Sequence, residues 1–430
     1  MAMVVKNNMS AISTLNTLNK NSSALSKSLQ KVSSGMKING AADDASGYAI
    51  SERMRVQIRG LDQANQNTQN GSSMMKVAEG AVSSTVDILK TLKEKVINAA
   101  NDTNTDADRQ TIQKELDQSI DQINDNANVT YNGKYLVDGS HNSSVTATTT
   151  SMTNQSLNTA TAFGSTFNKL TDRNGNSLNI QSSDTITFSY VKEGKTTTVS
   201  VSGASKISDL ITQVSADIIA GTADSVIGKD VAGDTVFTAD GQSALTLKAN
   251  GTGIESQISG ITFSVTDTKG NVKKSANALL DNFSESIRAQ NGSLDNSINL
   301  QVGTKSNQAI KVGLTDMRAE ALGLQAQNGT TLNISTKEYA NAAINVLDNA
   351  VQKALDQQTT IGAVQSRLEY TSSNLTTASE NVQASESTIR DADMAKEMTN
   401  YTKNNVLMQA AQAMLSQANQ SSSSVLSLLQ

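Results

Sequence analysis

Asp43 and Asp44 stand side by side in "SSGMKINGAADDASGYAISERMR", residues 33–55. Adjacent carboxylates are the raw material of acid–base catalysis, in which one group gives a proton and another takes it. That work needs both groups aimed at one point. Neighbouring residues on a helix point about 100° apart, and no His, Cys or Lys stands beside them in a recognisable partner motif. The same acids at the start of a helix need no partner, because a carboxylate there accepts from free N–H groups and complements the positive end of the dipole. Asp43 and Asp44 are read as a junction helix cap.

Other chemistry finds little to stand on. The chain has no cysteine, which excludes disulfides, thiolate metal sites and cysteine nucleophiles. His141 is its one histidine, so neither an HExxH site nor a histidine metal cluster exists. "NGTG" (250–253) lacks the GK[ST] of a phosphate loop and reads as turn chemistry. No catalytic residue, cofactor or metal is expected. Thirty-five basic and 40 acidic residues give a formal charge of −5 without long blocks of one sign, which excludes the basic stripe of a nucleic-acid binder. No apolar run approaches the length of a transmembrane helix, so membrane insertion is not expected. The start, "MAMVVKNNMSAISTLN", lacks the pattern of a secretory signal, so a protein of this sequence that leaves the cell does so without a cleaved one.

The elements that carry these residues follow from composition and spacing. No proline occurs in 430 residues; each would cost a helix interior ~3 kcal/mol or more, so its absence suits long helices. Aromatics are 3% of the chain, with no Trp, which leaves Leu, Ile, Val, Met and Ala to pack along thin seams. Ala11, Leu15, Leu18, Ser22, Leu25, Leu29, Val32 and Met36 keep a 4-3 spacing, the repeat of a coiled coil. Leu407, Ala411, Met414, Ala418, Ser421, Val425 and Leu428 do the same at the other end, beside a parallel row of Met394, Met398, Tyr401, Met408 and Leu415. Burying the large N-terminal side chains supplies on the order of 10–15 kcal/mol, against roughly 1–2 kcal/mol of backbone entropy for each ordered residue. A lone terminal helix is therefore marginal, and both termini are expected to order only on assembly.

A longer helix is expected over about 44–101, followed after "NAANDTNTDADR" by one over 107–128, capped by Thr105 or Asp106. The region from roughly 141 to 297 turns Thr/Ser/Gly-rich. "TITFSYVKEGKTTTVSVSG" reads as a β-hairpin, "SKISDLITQVSADIIAG" as a short helix with Ile207, Leu210, Ile211, Val214 and Ile218 inward, and "GITFSVTDTKGNV" as a strand and turn. The pattern predicts an α+β domain inserted between two helical chain ends that pack together.

"LQKVSSGMKINGAADDASGYAISERMRVQIRGLDQANQNTQNGSSMMKVAEGA" (29–81) and "SESTIRDADMAKEMTNYTKNNVLMQAAQAMLSQANQSSSSVLSLLQ" (385–430) resemble the terminal signatures of bacterial flagellins, as do "DMRAEALGL" (316–324) and "IGAVQSRLEYTSSNL" (361–375). The resemblance spans about 1–140 and 299–430 and implies a mainly α fold: a long antiparallel helical coiled-coil rod formed by both chain ends, with a small β-hairpin and an inserted α+β surface domain. It places filament-core coiled coils at 1–42 and 386–430, rod segments at 43–140 and 299–385, and the variable insert at 141–298. "YNGKYLVDGS" and "LQVGTKSNQAIKVGL" supply the rod's strands in that layout. The resemblance also implies a self-assembly seam of Leu15, Leu18, Leu25, Leu29, Val32, Met36, Leu407, Met414, Val425 and Leu428.

In that family the subunit leaves unfolded through the flagellar type III channel, adds at the filament tip and supercoils with its copies into a propeller for swimming. Implied partners are other flagellin subunits, an export chaperone on 394–429, and the filament cap and hook–filament junction proteins. Toll-like receptor 5 is a further implied partner, and its contacts usually include an Arg and a Leu on the first rod helix and a Glu on the second. Here Thr91, Lys95 and Glu115 fall at those places, which implies a weak agonist because a planar Arg is lost and a charge sits where an apolar side chain is usual. The alternatives are a hook–filament junction protein, which shares the terminal coils, and a filament-displayed adhesin or enzyme acting through the insert.

Overall fold

The computed structural model describes residues 8–428, and all of their side chains except those of 222 and 422–428. In chain order the elements are α1 (Met9–Ser34), α2 (Ala45–Ala99), α3 (Asp106–Ala127), β1 (Thr130–Tyr131), β2 (Lys134–Tyr135) and β3 (Ser151–Asn154). Then come β4 (Thr185–Lys192), β5 (Lys195–Ser202), α4 (Ile207–Gln213), β6 (Ile218–Asp224), β7 (Val226–Lys229), β8 (Thr235–Phe237) and β9 (Ala244–Ala249). The chain closes with β10 (Ile258–Thr266), α5 (Lys274–Leu280), β11 (Phe283–Ile287), β12 (Ile298–Gln301), β13 (Ala309–Val312), α6 (Lys337–Arg390) and α7 (Met394–Leu428). Two compact units result. One gathers the residues up to Thr68, Gln301–Gln308 and those from Tyr370 on; the other holds Gln69–Leu300 and Ala309–Glu369. The division falls inside α2 and α6, whereas the domain boundaries expected from sequence fall near helix ends.

In the first unit the chain ends run antiparallel. Asn8 Nδ2 donates to the Ala418 carbonyl at 3.1 Å, Asn21 Nδ2 to that of Leu407 at 3.2 Å, and Asn404 Nδ2 to Ser28 Oγ at 3.1 Å. The partner that a lone terminal helix lacks is thus the other end of the same chain. The start of α2 lies against the end of α6 through Leu61, Ala64 and Leu375, with Ala378 and Val382 packed beside them. Polar pairs continue the antiparallel register from Ser372–Asn65 at 2.7 Å to Ser379–Asp62 at 3.1 Å.

In the second unit the remainder of α2 buries Met75, Val82, Val86, Leu89 and Val96, while α3 buries Leu116, Ile120 and Ile123, and α6 buries Ala343, Val346, Leu347, Ala350 and Ile361. Thr105 caps α3: its hydroxyl accepts from Asp108 N–H at 3.3 Å, and the Asp108 carboxylate accepts from Thr105 N–H at 2.9 Å, a reciprocal box. Buried Arg109 closes the corner between α2 and α3, donating to the carbonyls of Ala99 (2.8 Å) and Asn101 (3.1 Å) and to Asp106 (2.9 Å). Strands β1 and β2 pair as a hairpin around Asn132 and Gly133, both at positive φ (51° and 75°), the backbone of a primed turn.

The insert contains a three-stranded sheet in the order β10-β4-β5, a four-stranded sheet β11-β3-β9-β6, and the pair β7-β8. The expected hairpin is β4–β5, turning at Glu193 and Gly194 with φ of 50° and 70°. The two larger sheets and the short helices share one apolar core containing Phe167, Phe188, Tyr190, Ile211, Leu247 and Phe263. One expectation fails here. The helix predicted through Ile218 ends at Gln213, and Ile218 opens β6 opposite Ala249. Asp217 takes Tyr190 Oη at 2.7 Å and Lys192 Nζ at 2.8 Å, fixing the turn, and the β-branched Ile218–Ile219 pair then favours a strand.

Candidate assembly surface

The seam that α1 and α7 form with each other differs from the most apolar row on either helix. Along α1 the half-buried or buried positions include Ala11, Thr14, Leu18, Asn21, Leu25, Ser28 and Val32, a 3-4 spacing that alternates apolar with polar residues, with Ala24 and Lys31 beside it. On α7 they include Glu397, Tyr401, Asn404, Met408, Ala411, Leu415 and Ala418, with Asn400 and Asn405 beside them. Among the described residues of these two helices only Ser28 and Ala411 are buried outright. Leu18, Leu25, Val32, Met36 and Tyr401 therefore sit on the pairing side. Leu15 and Leu29 lie on an exposed flank, 44% and 51% accessible, with Ile12 at 48%. Leu407 and Met414 are likewise 41% and 62% accessible, next to Val406 at 58%. Val425 and Leu428 lie outside the described side chains. The polar positions Thr14, Asn21 and Ser28 could have been found by following the repeat one residue out of phase from its leucines.

The connection between the helix pairs is built from caps. Gly35 ends α1 in the left-handed conformation (φ 70°), its N–H donating to the Lys31 carbonyl. Lys37 N–H then donates to the Arg390 carbonyl at 2.7 Å, and Ala392 N–H to that of Gly35 at 2.9 Å, so the two connections form a short antiparallel ladder. Asp44 caps α2: Oδ1 accepts from Gly47 N–H at 3.0 Å and Ser46 N–H at 3.1 Å. The Gly47 N–H above all holds this carboxyl below the usual carboxylate range. A side chain at position 47 would meet the Asp44 carboxylate at 2.5 Å and the buried Ile38 at 2.7 Å, so a larger residue there displaces the capping carboxylate or the Ile38 side chain. Asp43 does not cap the helix. Its Oδ2 accepts from Asn39 N–H at 3.1 Å, because it belongs to the turn that precedes the helix. Asp393 caps α7 in turn, accepting from Ala395 N–H at 3.0 Å.

Arg390 is the residue at this junction that sequence reasoning passed over. It is 6% exposed, lies 5.4 Å over the Tyr48 ring and donates to Glu52 at 2.6 Å. Its guanidinium holds the Glu52 carboxyl below the usual range. An arginine in a polar last turn, "SESTIRDAD", carries no pattern that separates it from a solvated one.

Among the described residues there is no cluster of His, Cys, Asp or Glu able to hold a metal, and no helix long and apolar enough to cross a membrane. The bacterial flagellin N-terminal helical region matches residues 5–142, and the bacterial flagellin C-terminal helical region matches residues 344–429. The chain belongs to the bacterial flagellin family. It is 36% identical to a flagellin of Clostridium tyrobutyricum over 97% of this chain and 99% of that protein. It is 31% identical to a flagellin of Bacillus subtilis (strain 168) over 99% and 100%. A solved structure of FliC from Burkholderia pseudomallei aligns with 69% of this chain and 99% of its own at 19% identity and a TM-score of 0.26, too low to carry any part of the assignment. Flagellins are structural filament proteins, not enzymes, and their polymer is the extracellular flagellar filament.

The three positions expected from the resemblance to face a receptor fall together in the second unit. Thr91 and Lys95 lie one turn apart on α2, and Glu115 reaches them from α3. Lys95 Nζ is 3.0 Å from Glu115 Oε1, and Thr91 Oγ1 donates to the Asp87 carbonyl at 3.0 Å.

Proposed function

We propose that the exposed flanks of α1 and α7 are the surface through which this flagellin polymerises. Leu15, Leu29, Leu407 and Met414 stand in water in the single chain. Burying each supplies up to ~1.5–3 kcal/mol when a neighbouring subunit covers it. The thin, half-polar seam between α1 and α7 sets their antiparallel register, and the more apolar flanks are left for other copies. The observation that carries this reading is the exposure of those leucines and methionines beside a seam that holds asparagines and serine.

In this reading the subunit passes unfolded through the flagellar type III apparatus, with a chaperone covering 394–429 beforehand. It adds beneath the cap at the tip, above a base of hook–filament junction proteins. The filament of such copies supercoils and drives swimming. Thr91 and Lys95 make it a weak agonist of Toll-like receptor 5.

Electron microscopy of purified monomer with short filament seeds, beside a variant truncated after residue 385, tests the core of this. Long helical filaments from the intact chain alone support it. A stable intact monomer that never elongates seeds overturns it and moves weight to a junction protein.

A further inference from the structure

The described methionines are sharply partitioned between the two units. The chain has thirteen and no cysteine. In the second unit Met74, Met75, Met152 and Met317 are 6%, 0%, 2% and 1% exposed. In the first unit Met36, Met54 and Met408 are half-buried, whereas Met9, Met394, Met398 and Met414 are 69%, 43%, 45% and 62% exposed. Among the described residues, the four exposed methionines all lie on α1 and α7. Packing alone does not require sulfur there: Leu15, Leu29, Val406 and Leu407 are exposed on the same two helices.

We propose that Met9, Met394, Met398 and Met414 form an oxidant-sensitive modification site on the free subunit, at which peroxide converts thioether to sulfoxide and bars the subunit from joining a filament. The proposal rests on the assembly reading above. The sulfur lone pair attacks one oxygen of hydrogen peroxide, the O–O bond breaks and an S–O bond forms. Sulfur loses two electrons, and the second oxygen leaves as water with both hydrogens. The product is polar and chiral where the side chain was soft and apolar. Covering a sulfoxide without a hydrogen-bond donor costs what covering any unpaired polar group costs. With no thiol in the chain to react first, these exposed thioethers are the most accessible soft nucleophiles among the described residues. A filament that buries them protects them, so the site is open only before a subunit joins, and a sulfoxide reductase restores it.

The test treats purified full-length monomer with hydrogen peroxide, maps sulfoxides by peptide mass spectrometry and measures seeded elongation. Sulfoxide is expected first at positions 9, 394, 398 and 414, with elongation falling at least about tenfold and recovering after methionine sulfoxide reductase treatment. A variant with Met9→Leu, Met394→Leu, Met398→Leu and Met414→Leu keeps the volume and apolar character and is expected to elongate after the same treatment. Sulfoxide spread evenly over buried and exposed methionines, or equal loss of elongation in that variant, overturns the proposal. Untreated wild-type monomer that fails to elongate seeds overturns the assembly reading itself, and the oxidation site with it.

Discussion

Lys95 Nζ lies 3.0 Å from Glu115 Oε1, joining α2 to α3 across an accessible face. The side chains are 40% and 53% exposed, so the pair contributes only ~0–1 kcal/mol to the fold. Its consequence is chemical: the Glu115 carboxylate is already shared with an ammonium, and Thr91 one turn away presents a hydroxyl turned back to the Asp87 carbonyl. A receptor surface shaped for an Arg, a Leu and a free carboxylate meets none of the three. In a Toll-like receptor 5 reporter assay, Thr91→Arg with Lys95→Leu should raise potency at least about tenfold, the scale of one central interface contact. Substitutions without effect, in a protein already as potent as a flagellin carrying both residues, would remove the idea.

Arg109 closes the corner after α2 with three directed hydrogen bonds while only 6% exposed. One of them satisfies the buried carbonyl of Ala99 as α2 ends, and a second adds to the Asn104 N–H at the carbonyl of Asn101. Arg109→Ala leaves the Ala99 acceptor unserved in a buried place and removes the tie to the loop at Asn101, and bonds from a charged donor are worth about 1.5–3 kcal/mol each. Urea unfolding followed by circular dichroism should show a loss of about 3 kcal/mol. Arg109→Lys should recover less than half, since an ammonium cannot reach the same fork of acceptors. A loss below about 1 kcal/mol for the alanine variant would contradict this role.

Much of this was legible beforehand, for a physical reason. Helices α2 and α3 follow apolar rows that stay in register with 3.6 residues per turn, and Thr105 announces its cap three residues before Asp108. The β4–β5 hairpin shows in strict alternation around Glu193-Gly194. Less legible was anything fixed by which of two adjacent rows a partner covers. Leu15, Leu29, Leu407 and Met414 belong to the apolar repeats, yet they stay exposed while the pairing side carries Asn21, Ser28 and Asn404, whose hydrogen bonds cross between helices. Periodicity gives a stripe, not its occupant. Asp43 and Asp44 were inseparable in sequence for a similar reason: one residue of register decides which carboxylate meets the free N–H groups of α2.

Asp281 gives the insert a pH dependence. Burial beside Phe263 and Phe283 pushes its carboxyl up to about 6, partly opposed by the Phe263 N–H that it accepts. A raised carboxyl means that the folded state holds its proton more tightly than the unfolded chain. Its favourable contribution is complete below about pH 4 and is lost as pH rises through about 6. Asp281→Asn keeps an acceptor for that N–H without the charge. The substitution should stabilise the insert by about 2–3 kcal/mol at pH 7 and by little at pH 4. Thermal unfolding of both proteins across that range decides it, and equal gains at both pH values would show that the carboxyl is not what titrates.

Leu25 and Leu29 separate pairing within a subunit from pairing between subunits. They are one turn apart on α1, yet Leu25 is half-buried towards α7 whereas Leu29 is 51% exposed. Leu25→Ala removes contacts that the single chain already makes, so helix content at the chain ends should melt earlier, with a cost of about 1–2 kcal/mol for a partly covered leucine. Leu29→Asp removes nothing the single chain uses and should change monomer stability by no more than about 0.5 kcal/mol. On seeds the order reverses. A carboxylate buried against a neighbouring subunit without a partner is prohibitive, so Leu29→Asp should abolish elongation while Leu25→Ala only slows it. Circular dichroism melting of the monomers beside light scattering during seeded growth reads both effects. A Leu29→Asp subunit that elongates normally would show that this flank of α1 faces solvent in the filament, and the assembly surface would have to be sought elsewhere on the subunit.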